Sequence, residues 1–206
     1  MYMTGAMPKD VVARACHQDG VGAAKNRMYD DLGAIMLLTM DNDAIFRITG
    51  CGDFGVEGNW YRLACTDGLI ETVRGSEETI RLSRVPWVRE EGEEKETQYN
   101  PKWEKNDDIA RAAGHGGGDY WAVYNFIRYL KGEKKADFDV YAATAMSATA
   151  ILAWRSILNN CSYKIPDFRL EEDRRAYRND NLTPFVDSKG CGKTLPSDSR
   201  SADMKR

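Results

Sequence analysis

Histidine is scarce in this chain: there are two, His17 and His115, among 206 residues. His17 sits in a polar stretch with no partner near it in sequence, so a paired-histidine metal centre is not expected. Cysteine is sparse and badly spaced for chelation. The five thiols, Cys16, Cys51, Cys65, Cys161 and Cys191, are odd in number and form no CxxC pair, which speaks against both a thiolate zinc site and a disulfide framework. Reduced thiols in a cytoplasmic protein are the expectation. An excess of charge is lacking too. Lys+Arg total 29 against 32 Asp+Glu, for a net charge of −3, so neither a polyanion-binding surface nor a nucleic-acid partner is expected. Long apolar runs are missing. The most apolar stretch, residues 140–154, is shorter than the roughly 20 residues a spanning helix needs, and no membrane role is expected. The first residues, Met1-Tyr2-Met3-Thr4-Gly5, lack the basic and apolar regions of a signal peptide. No HExxH motif, EF-hand loop or Ser-His-Asp order is present.

What remains is a chain of 42% hydrophobic and 30% charged residues, the balance of a soluble globular protein. Its first half reads as strands. Residues 11–15 form a plausible short one. Residues 34–40 and 44–49 flank Asp41-Asn42-Asp43, which tolerates the left-handed backbone of a hairpin turn. Residues 60–65 and 69–73 flank Thr66-Asp67-Gly68, where Asp-Gly is a strong hairpin signal. Residues 79–85 alternate apolar and polar. Sequential strands with short turns predict an antiparallel meander. From residue 86 to 118 the pattern dissolves into a charge run and a long connection, which either is disordered or lines a site.

The second half reads as helical. Tyr120, Val123, Tyr124, Ile127 and Leu130 recur at helical spacing, with Gly132 as the stop. Asp139 is a good N-cap for a second helix reaching about Leu158. Its alanines permit close approach, which places it directly against the sheet. An extended, charged segment punctuated by Pro166 and Pro184 follows. The fold class predicted is α+β, an open, mostly antiparallel sheet with helices packed on one face and no Rossmann domain. The domain is expected over residues 1–185, with 186–206 a polar, disordered tail by composition.

Two glycine motifs fail on context. Gly50-Cys51-Gly52-Asp53-Phe54-Gly55 spells GxGxxG, but that fingerprint works only where a helix opens at the loop and aims its N-terminus at a pyrophosphate. The residues that follow are of strand type. Gly190-Cys191-Gly192-Lys193-Thr194 ends like a phosphate loop, yet lacks the first glycine and a preceding strand. The segment Gly114-His115-Gly116-Gly117-Gly118-Asp119-Tyr120 carries more. Its glycines let backbone approach a ligand closely, and it leads into a helix N-terminus where His115 can donate a proton or a hydrogen bond. The competing reading is a turn before a helix with a solvent-facing imidazole.

That segment is followed by Asp137-Phe138-Asp139-Val140-Tyr141-Ala142-Ala143 and Ile165-Pro166-Asp167-Phe168-Arg169, and preceded by Asn59-Trp60-Tyr61-Arg62-Leu63, Thr66-Asp67-Gly68 and Glu71. As an ordered set these resemble the C-terminal domain of Gfo/Idh/MocA-type proteins, closest to the branch of NAD-dependent glycosidases similar to α-N-acetylgalactosaminidase. The resemblance implies an α+β domain that binds a carbohydrate or polyol substrate and forms a homo-oligomer through its open sheet. In that branch a sugar hydroxyl is oxidised transiently, the glycoside is eliminated, and the hydride returns. The family's N-terminal Rossmann domain, with its NAD(P) and catalytic lysine loop, has no counterpart here, so the chain reads as an isolated domain or truncated product, inactive alone. No catalytic residue, cofactor-binding residue or metal ligand is therefore assigned. The residues the resemblance points to for substrate binding are His115, Tyr120, Asp119, Tyr61 and Arg62. The alternative is a non-catalytic scaffold or interaction module that dimerises through its sheet.

Overall fold

The computed structural model describes residues 3–16, 33–51, 58–76, 78–103 and 105–180. His17, the second half of the GxGxxG stretch, the GKT sequence and the polar tail lie outside the described residues. In chain order the strands are β1 (Pro8–Cys16), β2 (Gly33–Met40), β3 (Ile45–Cys51), β4 (Arg62–Ala64), β5 (Gly68–Thr72), β6 (Ile80–Arg84), β7 (Glu96–Tyr99) and β8 (Tyr163–Lys164). The helices are α1 (Asp107–Ala112), α2 (Gly118–Leu130), α3 (Val140–Asn159) and α4 (Glu171–Tyr177). The α+β class and the antiparallel pairing hold. The strands do not form one meander, however. They divide into two four-stranded sheets, ordered β3-β2-β1-β8 and β4-β5-β6-β7.

The sheets belong to two compact units, one formed by Met1–Val56 with Asp137–Arg206 and the other by Glu57–Ala136. In the first, β1 and β2 pair with Val11 opposite Leu38 and Ala13 opposite Met36. Side chains alternate across a strand, so Val11, Ala13, Leu38 and Met40 share one face. They are buried there with Leu152 and Ala153 of α3. This is the helix-on-sheet contact that the alanine-rich sequence predicts. Asp139 caps α3 as expected, its Oδ1 accepting the Ala142 N–H at 2.8 Å. β8 pairs with β1 only at Asp10 and Val11. Beyond that point the Ala13 N–H donates to Ser156 Oγ of α3 at 2.9 Å, so a buried donor next to the core is satisfied. On the opposite face Ile35, Leu37 and Ile45 are 49%, 42% and 68% exposed.

The second unit contains three elements that the sequence pattern conceals. The charge run and the polar connection after it hold a 3-10 turn (Pro86–Val88), β7 and α1. The segment after Pro166 likewise carries α4, in the first unit, where an extended chain is expected. Within the second sheet Arg62 faces Glu71, and Glu71 faces Arg81. Glu71 is buried between the two guanidiniums, accepting from Arg81 Nε at 2.9 Å and lying 3.7 Å from Arg62 Nε. A buried carboxylate needs such partners, because an unpaired charge there is strongly unfavourable.

Candidate functional site

The glycine-rich segment joins α1 to α2 through a 3-10 turn at His115–Gly117. Four consecutive residues have positive φ: Gly114 (95°), His115 (46°), Gly116 (61°) and Gly117 (98°). Three are glycines, which reach this region without steric cost. His115 is not, and a non-glycine residue there is held by its surroundings. Gly117 is required for space as well as for φ. A Cβ at that position would lie 2.6 Å from Trp103 Nε1 and 3.3 Å from Ala110 Cβ.

Trp103 braces the loop from the other side. Its Nε1–H donates to the Gly116 carbonyl at 3.3 Å, and its backbone N–H donates to Asp107 Oδ1 at 2.9 Å. That backbone bond, with the Arg111 guanidinium, holds the Asp107 carboxyl below its usual range. Arg111 in turn bonds Asp107, Glu78 and the Pro101 carbonyl, tying α1 to the chain before it and to the β5–β6 connection. Trp103 packs on Trp121 with ring centroids 5.1 Å apart. Tyr120 stacks on Tyr124 at 5.6 Å and meets Trp121 edge-on at 5.1 Å. The Tyr120 hydroxyl accepts from Asn106 Nδ2 at 3.0 Å.

Within this frame His115 and Asp119 form a pair. His115 Nδ1 lies 2.9 and 3.0 Å from the two Asp119 carboxylate oxygens. The hydrogen bond first, and the carboxylate charge second, push the imidazole pKa up. Asp119 stands in the first turn of α2, where the helix dipole favours a negative charge. The pair is open to solvent, with the His115 side chain 85% exposed and that of Asp119 55%.

Of the five residues expected from sequence, His115, Asp119 and Tyr120 thus come together on one loop and helix start. Tyr61 and Arg62 are engaged elsewhere in the same unit. The Tyr61 backbone exchanges bonds with Thr72, and its exposed side chain alternates away from the face that carries Arg62. Arg62 faces Glu71. Trp103, Asn106 and Trp121 were not singled out by sequence reasoning. The four-residue spacing from His115 to Asp119 was the one legible clue, since such pairs meet across a helical turn.

The fit of a nicotinamide cofactor can be tested on the described residues. Every strand pair among them is antiparallel. Gly50 and Cys51 end β3, and the described residues from 58 lead into β4 rather than a helix. No strand–glycine loop–helix frame is present among them, so they do not fit a dinucleotide in that mode. Nor do the described residues hold a cluster of three or more metal-ligating side chains.

The family model for the glycosyl hydrolase 109 C-terminal domain matches residues 59–172, more than half of the chain. The chain belongs to that family. A glycosyl hydrolase family 109 protein of Stenotrophomonas maltophilia (strain K279a) is 36% identical over 110 residues, covering 52% of this chain and 24% of the relative. Another, from Solibacter usitatus (strain Ellin6076), is 38% identical over 76 residues, or 36% and 17% of the two chains. The chain therefore spans a quarter or less of the curated relatives it matches. Among solved structures, levoglucosan dehydrogenase in complex with NADH and levoglucosan shares the fold at a TM-score of 0.62 and 9% identity, over 78% of this chain and 46% of that one. An oxidoreductase domain protein from Kribbella flavida gives a TM-score of 0.63 at 12% identity, over 80% and 46%. These likenesses agree with a Gfo/Idh/MocA-type C-terminal domain. The glycosyl hydrolase 109 match includes β4 to α3 and hence the whole His115 loop. No helix among the described residues is long and apolar enough to cross a membrane.

Proposed function

We propose that the chain is the substrate-binding and oligomerisation part of a sugar-directed NAD(P)-dependent oxidoreductase or NAD-dependent glycosidase, and that it binds a carbohydrate or polyol at the His115 loop. The observation that carries this reading is the His115–Asp119 pair, set on a glycine loop beside an aromatic cluster. Sugars are bound by such combinations, in which polar groups meet the hydroxyls and aromatic rings cover the ring's apolar face. Tyr120 contributes its hydroxyl and ring. NAD(P), where it acts, supplies hydride transfer from a separate domain of a longer protein. This chain alone then binds sugar without turning it over, and residues 1–185 serve as the working domain.

The exposed Ile35, Leu37 and Ile45 support oligomerisation through the first sheet, because apolar side chains on an open sheet face are stabilised when a second copy covers them, although Arg14 and Arg47 stand opposite Ile35 and Leu37 on that face. The same observation favours the second reading, a scaffold module that dimerises there without binding sugar. Titration of the chain separates the two. N-Acetylgalactosamine should raise the melting temperature and quench tryptophan fluorescence, whereas NAD should do neither. Micromolar NAD binding would sink the first reading. A dimer indifferent to sugar would favour the second.

A further inference from the structure

The glycine loop between α1 and α2 has little of its own to hold it. Three of its four left-handed residues are glycines, and α2 begins without a side-chain cap. Its backbone is tied internally by the Gly117 N–H to the Gly114 carbonyl at 2.9 Å and by the Gly118 N–H to that of His115. Glycines lose the most conformational freedom on ordering, so such a loop needs outside support to keep one shape. Trp103 is placed to give it. The backbone on either side of this residue is pinned to α1. The Trp103 N–H donates to Asp107 Oδ1 at 2.9 Å, and the Pro101 carbonyl accepts from Arg111 at 3.1 Å. The ring is packed on Trp121. With root and ring both fixed, the indole lies against Gly117 and points its Nε1–H at the Gly116 carbonyl, 3.3 Å away.

Resting on the carbohydrate-binding reading above for its effect on affinity, we propose that Trp103 is a positioning residue, whose indole N–H latches the Gly116 carbonyl and keeps the loop in its binding shape. It acts through the Gly116–Gly117 peptide rather than by contact with the ligand. A loop already held in one shape spares a polyol or pyranose the entropy of ordering three glycines. Phenylalanine keeps an aromatic ring on Trp121 without the N–H, so latch and packing can be separated.

Hydrogen exchange and histidine titration of the full chain read the latch. In the unaltered chain the Trp103 indole N–H, assigned by its Overhauser contact to the Gly117 α-protons, should exchange more slowly than that of Trp87, which is 76% exposed. Trp103→Phe should speed exchange of the Gly117 amide and lower the His115 titration midpoint, with circular dichroism unchanged. A lost packing contact alone would lower the melting temperature and leave both loop signals where they are. The affinity for N-acetylgalactosamine should fall roughly fivefold in Trp103→Phe. A Trp103 N–H that exchanges as fast as that of Trp87, or loop signals indifferent to Trp103→Phe, overturns the latch. Loop signals that respond to Trp103→Phe while sugar binding is unchanged, or absent from the unaltered chain, support the latch and overturn carbohydrate binding at this loop instead.

Discussion

His115 and Asp119 make a local demand on the protein that shows in its response to pH. The folded-state imidazole pKa is raised, first by the hydrogen bond to Asp119 and then by its charge. A raised pKa means that the folded state holds the proton more tightly than the unfolded chain. The stabilising contribution is therefore complete below the unfolded value of about 6.5 and is lost as pH rises through the folded one. We expect the His115 titration, followed by its ring proton shifts, to have a higher midpoint than His17 in the denatured chain. Asp119→Asn should move that midpoint down. Equal midpoints in Asp119→Asn and the unaltered chain would show that the pair does not form in solution. At this scale the sequence was informative about the loop itself. A histidine between glycines ahead of a helical repeat is visible without coordinates. Trp103 and Asn106 were not visible, because they reach the loop from an aperiodic stretch. Only the fold brings an indole against Gly117 and an amide against Tyr120.

At the scale of elements, the strands and helices with strong local signals are where the sequence placed them. The Asp41-Asn42-Asp43 turn is closed by the Met40 N–H donating to the Ala44 carbonyl at 2.9 Å, and Asp43 takes the left-handed φ of 62° that its residue type tolerates. β7 and β8 escaped because they are short and polar. β7 is four residues at the end of a charge run, and β8 is two. Neither shows an apolar alternation to read, and each exists only because an edge strand offers hydrogen bonds to it. The single meander expected from hairpin spacing fails for a related reason. Hairpin signals specify neighbours, not how many sheets the neighbours form. α3 supplies the element-scale prediction. Asp139→Ala removes the acceptor for Ala142 N–H and should cost about 1 kcal/mol, read as a lower urea midpoint with an unchanged slope. A midpoint equal to that of the unaltered chain would mean that the cap contributes nothing.

At the scale of the molecule, the proposed assembly rests on the first sheet. Its buried face is filled by α3, and its other face leaves Ile35, Leu37 and Ile45 open to solvent. Leu37→Asp puts a charge in the middle of that open face without touching the core positions Met36 and Leu38. Sedimentation of the full chain at tens of micromolar should give a dimer or larger species, and Leu37→Asp should give a monomer with the same circular dichroism. A monomeric unaltered chain would remove the oligomerisation reading. This face follows from the nearly continuous apolar run of β2, which puts apolar side chains on both sides of the strand. Its proposed use as an interface does not, because apolar exposure appears only once α3 has claimed the opposite side.

The hydrogen bond from Ala13 to Ser156 also sets an order of events during synthesis. Its partners are 143 residues apart, an interval of roughly 7 to 30 s at about 5–20 residues per second on the ribosome. During that interval β1, β2 and β3 are already made, while the helix that buries Val11 and Leu38 is not. The unit formed by Glu57–Ala136 is contiguous and is complete before α3 leaves the exit tunnel. The first three strands must therefore wait, uncovered, for α3. Translation pausing or premature termination before Ser156 should be the condition under which this protein aggregates.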